Sequence, residues 1–216
     1  MRALVYYVVK SLLLVYCRIW HRYRTYHAER IPPRGRSVLI AANHASYLDP
    51  VLVGVAFPYH IWYLARSTLF ERSKVFGWMI SVVYAVPITR ERLDLRTIRL
   101  VHDICAGGDS VLVFPEGTRT KDGNLQKGQA GVGLFAEKVN VDILPVYIHG
   151  SFEAMSRHAK LSFPRLLPIS VSFGPLLPIS RWKDMPAGRE RYEAIADGIM
   201  AELIKLRDER MAKGGE

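Results

Sequence analysis

Apolar runs of strand length alternate along this chain with stretches whose apolar residues recur at helical spacing. Six runs have the length of strands: Ser37–Ala42, Ile61–Ala65, Val82–Ile88, Val111–Phe114, Ile143–His149 and Ile169–Phe173. Five other stretches predict helices: Pro50–Phe57, Lys74–Ser81, Asp94–Ala106, Gln129–Val139 and Gly188–Met211. Strands that alternate with helices predict an α/β fold, here a single domain with a mixed, largely parallel sheet flanked by helices.

An apolar segment precedes this pattern. Residues 3–17 are apolar except for Lys10 and Ser11. A helix needs about 20 apolar residues to cross a bilayer, so this shorter run predicts a helix that lies in the membrane interface, with the Lys10 ammonium reaching the headgroups. A single membrane span and a soluble helix that packs on the core are the alternatives.

A proline-rich pentapeptide, Ile31-Pro32-Pro33-Arg34-Gly35, predicts the boundary between this segment and the rest of the chain. The prediction is therefore an N-terminal membrane-associating helical segment at residues 1–30, followed by one globular domain at residues 31–216.

The charge of the chain indicates an anionic partner. The net charge is +10 and the isoelectric point is about 9.7. Six arginines and a single acid, Glu29, lie between Arg18 and Arg36. Because this basic stretch directly follows the apolar segment, it favours an anionic membrane surface over a DNA groove, and it predicts that the domain stays on the cytoplasmic side. The only cysteines, Cys17 and Cys105, form neither a disulfide framework nor a zinc pattern, which fits a reducing compartment.

A histidine and an aspartate are five residues apart in Asn43-His44-Ala45-Ser46-Tyr47-Leu48-Asp49. The segment follows a predicted strand, and ligands of open α/β sheets bind at the carboxyl ends of strands. A histidine can take a proton from a hydroxyl, and a carboxylate on its other nitrogen fixes the tautomer. A turn that folds Asp49 back to His44 would create such a pair. The alternative is that Asp49 only caps the helix that begins near Pro50.

A second polar segment, Phe114-Pro115-Glu116-Gly117-Thr118-Arg119, follows another predicted strand. The planar guanidinium of Arg119 suits a phosphate, and Glu116 could orient Arg119 or contact an acceptor hydroxyl. The alternative is an ordinary surface turn with a solvated arginine.

Together the two segments resemble the glycerolipid acyltransferase family, of the 1-acylglycerol-3-phosphate acyltransferase type, with its HX4D motif. Two further stretches resemble blocks of that family: Val86-Pro87-Ile88-Thr89-Arg90, with its arginine, and Ile143-Leu144-Pro145-Val146, with its proline. The resemblance extends over residues 38–150. Family members often carry an acidic residue at the position of Thr89, and Arg92 follows closely, which leaves open which arginine meets the phosphate.

The resemblance implies an enzyme that transfers an acyl chain from acyl-coenzyme A or an acyl carrier protein to 1-acylglycerol-3-phosphate, giving phosphatidic acid in phospholipid biosynthesis. Residues 31–216 would be the acyltransferase domain, with His44 as general base and Asp49 as its partner. The implied substrate-binding residues are Arg90, Glu116, Gly117, Thr118, Arg119 and Pro145. No metal and no cofactor beyond the thioester co-substrate is implied.

The expected partners are both substrates, an anionic membrane surface and, for one of the two donors, acyl carrier protein. Nucleic acid is not expected, because the sequence contains no helix-turn-helix, zinc finger or RNA-binding aromatic strand. The expected location is the cytoplasmic face of the cell membrane, as a peripheral or monotopic protein. Alternatives are an acyltransferase for another lysophospholipid, a lyso-aminolipid or glycerol-3-phosphate, a phosphohydrolase with His44 and Asp49 as metal ligands, and a non-catalytic binder of anionic membranes.

Overall fold

The computed structural model describes residues 2–71, 83–88, 95–156 and 164–213. Its helices are α1 (Arg2–Trp20), α2 (Asp49–Ala56), α3 (Ser67–Glu71), α4 (Leu95–Ala106), α5 (Ala130–Val139), α6 (Ser151–Met155) and α7 (Arg189–Ala212). Its strands are β1 (Arg24–Tyr26), β2 (Leu39–Ala42), β3 (Trp62–Arg66), β4 (Ala85–Ile88), β5 (Val111–Val113), β6 (Ile143–His149) and β7 (Ser170–Phe173). Short 3-10 turns lie at Ala28–Arg30 and Ile179–Trp182. The helix predicted at residues 74–81 lies outside the described residues.

The strands form one sheet in the order β1-β7-β6-β2-β5-β3-β4. Neighbouring strands are parallel except β6 and β7, which are antiparallel. The prediction of a mixed, largely parallel sheet is therefore confirmed. Strand β2 lies in the middle with parallel neighbours on both sides, so its carboxyl end is flanked by the carboxyl ends of β5 and β6.

Helices cover both faces of the sheet, which explains why β2 is a continuous apolar run rather than an alternating one. Leu39 and Ala41 pack into the core under α4, α5 and α7. Ile40 and Ala42 point to the opposite face, where they join the core under α1 and α2. The two helices α5 and α7 approach closely at Gly133, where an added Cβ would lie 2.0 Å from the backbone oxygen of Tyr192.

The structure differs from the prediction of a helical segment that continues to residue 30. Helix α1 ends at Trp20, and β1 pairs in parallel with β7 at the edge of the sheet. Two of the three residues of β1 are exposed, and its sequence, Arg24-Thr25-Tyr26, has no apolar alternation. Backbone hydrogen bonds to β7 hold this strand, so its side chains carry little signal of it.

Helix α1 lies against the domain along one face. Tyr6 and Cys17 are buried there, and the Lys10 ammonium donates hydrogen bonds to the carbonyls of Phe57 and Tyr59. Lys10 therefore faces the protein, and the prediction that it reaches toward lipid headgroups is wrong. Phe57 is the C-cap of α2, and carbonyls at a helix end lack donors within the helix, so this position attracts a cation. Burial lowers the pKa of Lys10 to about 8.

The other face of α1 is apolar and exposed. Its residues recur at helical spacing and define what we call the apolar stripe: Leu4, Val8, Leu12, Val15 and Ile19. The segment Ala3–Trp20 is long and apolar enough to cross a membrane by length and composition, and only 11% of it is buried. A face of this size, unpartnered within the described chain, matches a lipid surface better than water.

Candidate active site

The two polar segments meet because their strands are parallel neighbours. Leu39 pairs with Val111 and Ala41 with Val113, so β2 and β5 end side by side. Asn43 and His44 follow one strand directly, and Phe114 follows the other. The loops are joined by a hydrogen bond from the backbone N–H of Thr120 to the carbonyl of His44, at 2.9 Å.

His44 and Asp49 form the pair that the sequence predicts. His44 Nδ1 lies 2.9 Å from Asp49 Oδ2. The same oxygen accepts hydrogen bonds from the backbone N–H groups of Ala45, at 2.6 Å, and Ser46, at 2.7 Å. Asp49 is the first residue of α2 and fully buried, and it uses its carboxylate on this turn rather than as a cap of its helix.

This contact sets the chemistry of the imidazole. An ionised carboxylate only accepts hydrogen bonds, so Nδ1 carries the proton and Nε2 keeps its lone pair. The ring stacks on Phe114, with centroids 3.9 Å apart and an interplanar angle of 15°. The His44 side chain is 18% exposed, whereas that of Asp49 is completely covered. The site therefore offers a fixed base with one nitrogen available for a proton.

The Glu116 carboxylate accepts hydrogen bonds that fix the His44 loop, and it is not engaged in orienting Arg119. Its Oε1 accepts the backbone N–H of His44 at 2.7 Å, and its Oε2 accepts both the backbone and the side-chain amide of Gln126, at 3.0 and 3.2 Å. Glu116 is only 3% exposed, and this burial raises the pKa of its carboxyl. With both oxygens engaged inside the protein, the carboxylate has a positioning role, and a contact with the acceptor hydroxyl does not fit this geometry.

Sequence reasoning missed Gln126, because a lone glutamine in a polar loop carries no motif signal. Its side-chain amide also donates to the carbonyl of Thr118 at 3.1 Å. Gln126 thus joins both sides of the turn that contains Gly117. Gly117 has φ +69°, a value that favours glycine, and its N–H donates to the Phe114 carbonyl at 3.0 Å.

The turn presents its next residues at the mouth of the site. Gly117 and Thr118 are exposed, and Arg119 is half-buried. The guanidinium carbon of Arg119 lies 3.5 Å from the ring centroid of Tyr47, which belongs to the first segment. A cation that suits phosphate therefore lies on the same loop pair as the His44 base.

Asn43 connects this loop pair to β6. Its side-chain amide donates to the carbonyl of Ile148 at 3.1 Å, and its oxygen accepts the backbone N–H of Ile148 at 2.7 Å. Ser46 adds a second link, because its hydroxyl donates to the Met155 carbonyl at 2.6 Å. The carboxyl ends of β2, β5 and β6 thus form one hydrogen-bonded unit around His44.

One predicted site residue, Pro145, is not brought to this unit. Pro145 lies inside β6, buried and paired with Ala41, which is three residues, or about 10 Å, before His44 along the strand direction. It shapes the core of the sheet rather than the mouth of the site. Arg90, together with Thr89 and Arg92, lies outside the described residues.

Within residues 2–71, 83–88, 95–156 and 164–213, no three His, Cys, Asp or Glu side chains come together as a metal site. Asp49 Oδ2 accepts three hydrogen bonds, and both oxygens of Glu116 accept backbone or amide N–H groups. These three oxygens position the His44 loop, whereas Asp49 Oδ1 is buried without a hydrogen-bond partner among the described residues.

Comparisons with known proteins agree on one family. A family model described as Acyltransferase matches residues 22–149. The chain is 30% identical over 187 residues to the 1-acyl-sn-glycerol-3-phosphate acyltransferase of Streptococcus pneumoniae, covering 85% of this chain and 66% of that protein. It is 33% identical over 107 residues to the enzyme of the same name from Bacillus subtilis, covering 49% of this chain and 53% of that protein. The chain thus spans about half to two thirds of the length of these curated relatives.

A solved structure has the same fold. The crystal structure of the 1-acyl-sn-glycerophosphate (LPA) acyltransferase PlsC from Thermotoga maritima superposes with a TM-score of 0.71. The match covers 93% of this chain and 80% of that chain at 21% sequence identity. At this identity the likeness concerns the architecture alone.

Proposed function

The chain belongs to the Acyltransferase family, and we propose that it transfers an acyl chain from an acyl thioester to the free hydroxyl of 1-acylglycerol-3-phosphate, giving phosphatidic acid. The observation that carries this proposal is the His44–Asp49 pair, at 2.9 Å, on the same loop pair as the Arg119 guanidinium. The names of the relatives from Streptococcus pneumoniae and Bacillus subtilis support the choice of acceptor.

The proposed reaction needs one base and no covalent enzyme intermediate. His44 Nε2 takes the proton of the acceptor hydroxyl while Asp49 stabilises the imidazolium. The alkoxide oxygen attacks the thioester carbonyl carbon, and a tetrahedral oxyanion forms. When this oxyanion collapses, the carbon–sulfur bond breaks, and the leaving thiolate takes the proton from the His44 imidazolium. The ester and the free thiol are the products, and the base is restored.

Arg119 is the proposed ligand of the acceptor phosphate. A guanidinium presents planar donors that match phosphate oxygens, and charge-assisted bonds of this type contribute about 1.5–3 kcal/mol each. Gly117 and Thr118 are exposed beside it and supply backbone groups at the same mouth. Glu116 and Gln126 act behind them by fixing the loop that carries His44.

The same proposal places the protein at a membrane interface. The apolar stripe of α1 faces outward, while Lys10 and Cys17 hold the opposite face of the helix against the domain. A helix docked along the domain in this way lies in the interface plane more readily than across the bilayer. Arg18, Arg22 and Arg24 are exposed at its end and suit anionic headgroups. We propose the cytoplasmic face, because these arginines suit the anionic lipids of that leaflet.

Release of thiol from acyl-coenzyme A and acyl carrier protein thioesters tests the function. Purified, detergent-solubilised protein is assayed with and without lysophosphatidic acid, beside His44→Ala. We expect release that requires both the acceptor and His44, with phosphatidic acid appearing. Release that ignores the acceptor would identify a thioesterase. Release only with another lysophospholipid would identify that lipid as the acceptor. If no thiol is released from either donor, membrane binding would be the remaining function.

A further inference from the structure

We infer that Tyr47 is a positioning residue for the acceptor phosphate, and that it acts by holding the Arg119 guanidinium. This inference rests on the proposed function. It adds Tyr47 to the site because of one contact, that between its ring and the Arg119 guanidinium. Tyr47 lies between the two residues of the His44–Asp49 turn, and Arg119 lies at the end of the neighbouring segment.

The contact is a stack of a cation on an aromatic face. The Arg119 Cζ atom is 3.5 Å from the Tyr47 ring centroid, which is van der Waals distance. At this separation the planar guanidinium must lie nearly parallel to the ring, because a tilted group would push a nitrogen into it. The ring therefore covers one face of the guanidinium, while the N–H groups point outward in the plane of the group, the direction in which a guanidinium binds phosphate oxygens.

Both partners sit on anchored backbone. Ser46, before Tyr47, is completely buried, and its hydroxyl bonds to the carbonyl of Met155 at 2.6 Å. Arg119 lies between Thr118 and Thr120. The backbone N–H of Thr120 donates to the carbonyl of His44, and the carbonyl of Thr118 accepts a hydrogen bond from the side-chain amide of Gln126. Each member of the stack is thus flanked by residues that cannot shift without breaking hydrogen bonds.

The exposure of Tyr47 points to a role outside the core. The residue is 55% exposed although its neighbours Ser46 and Asp49 are fully buried. A large aromatic ring at such a position contributes little to the core, whereas its face restricts a long, flexible arginine side chain. Ordering that side chain before the acceptor arrives lowers the entropy lost on binding.

The test compares Tyr47→Leu with Tyr47→Phe in the thiol-release assay. Leucine keeps an apolar side chain but has no π face, so KM for lysophosphatidic acid should rise about 2- to 5-fold, the value of an exposed cation–π contact. KM for the acyl thioester and kcat should stay near their wild-type values. Phenylalanine keeps the face and should restore the acceptor KM, which a merely structural hydroxyl contact would not allow.

A double-mutant cycle identifies the route of the effect. In an Arg119→Ala background, Tyr47→Leu should leave the acceptor KM unchanged, because the ring no longer has a guanidinium to hold. If Tyr47→Leu leaves the acceptor KM of the otherwise wild-type protein unchanged, or raises it equally with and without Arg119, the inference is wrong while the proposed function stands. If the wild-type protein shows no turnover that depends on lysophosphatidic acid, the proposed function is wrong, and this inference fails with it.

Discussion

Replacing Asp49 by asparagine separates the two roles that this side chain has in the site. The amide oxygen has the shape of Oδ2 and can still accept the N–H groups of Ala45 and Ser46. The negative charge beside the His44 ring is lost. The variant should therefore keep the turn and lose the group that stabilises the imidazolium.

The size of the loss follows from the geometry. Two unit charges 2.9 Å apart attract by about 6 kcal/mol at an effective dielectric constant of about 20, which sets a ceiling on the loss of transition-state stabilisation. General-base catalysis supplies about 10²- to 10⁴-fold, or about 3–5 kcal/mol, which lies below that ceiling. We expect kcat to fall by about 10²- to 10⁴-fold, and the free energy of unfolding to fall by only about 1–2 kcal/mol.

The fold contains a matched control. His60 Nε2 lies 3.1 Å from Asp109 Oδ1, and Trp62 donates to the same carboxylate at 3.0 Å. His60 precedes β3, Trp62 begins it and Asp109 precedes β5, so this pair lies at the amino edge of the parallel strands, opposite His44. Asp109→Asn makes the same chemical change in a second His–Asp pair and should leave kcat unchanged.

The assay is acceptor-dependent thiol release at saturating concentrations of both substrates, with thermal unfolding of each variant measured in parallel. A folded Asp49→Asn protein with kcat within about ten-fold of wild type would refute the argument, because general-base catalysis supplies at least about 10²-fold. An equal loss in Asp109→Asn would assign the effect to the fold rather than to the imidazole.

Three further predictions concern the rest of the site and the membrane surface. Arg119→Ala should raise KM for lysophosphatidic acid about 10- to 100-fold and leave KM for the thioester unchanged; equal effects on both constants would argue against a phosphate ligand. Burial holds the pKa of Glu116 above its ordinary value of 4.5, so ionising this carboxyl costs stability as pH rises through the raised pKa. The melting temperature of Glu116→Gln, measured relative to wild type, should therefore increase as the pH is raised from 4.5, and a constant difference would contradict the pKa shift. Leu12→Glu, on the apolar stripe, should lower binding to anionic vesicles at least about ten-fold, because it removes about 1.5–3 kcal/mol of apolar burial and places a charge there. The control is Leu100→Glu, at an exposed position of α4 on the other face of the sheet, and an equal loss of binding in both variants would place the membrane contact elsewhere.

The elements with strong local patterns were predictable from the sequence. The long apolar runs became β2, β5, β6 and β7, and the helical spacing in residues 94–106 and 188–211 became α4 and α7. Burial on both faces forces parallel central strands to be apolar throughout, so composition alone marks them. The edge strand β1 has no such requirement and was missed, since a backbone ladder to a strand about 145 residues later holds it in the sheet.

In the candidate site too, contacts within one short loop were predictable, and contacts between distant segments were not. The sequence predicted that a turn would fold Asp49 back to His44, because both residues lie within one short loop. It did not predict that Glu116 would bond to the His44 backbone, that Gln126 would complete this arrangement, or that Tyr47 would stack on Arg119. Each of these contacts joins segments that are 10 to 72 residues apart.

Local periodicity and short motifs thus encode the α/β class, the order of the main strands along the chain and the residue types of the site. Tertiary folding makes β2 and β5 parallel neighbours, and this single pairing brings the His44 and Arg119 loops together. It also turned Lys10 toward the domain and left the opposite face of α1 apolar and exposed. Which strands pair, and which face of a helix packs, depends on the simultaneous burial of residues distant in the chain, and no local window of sequence contains that information.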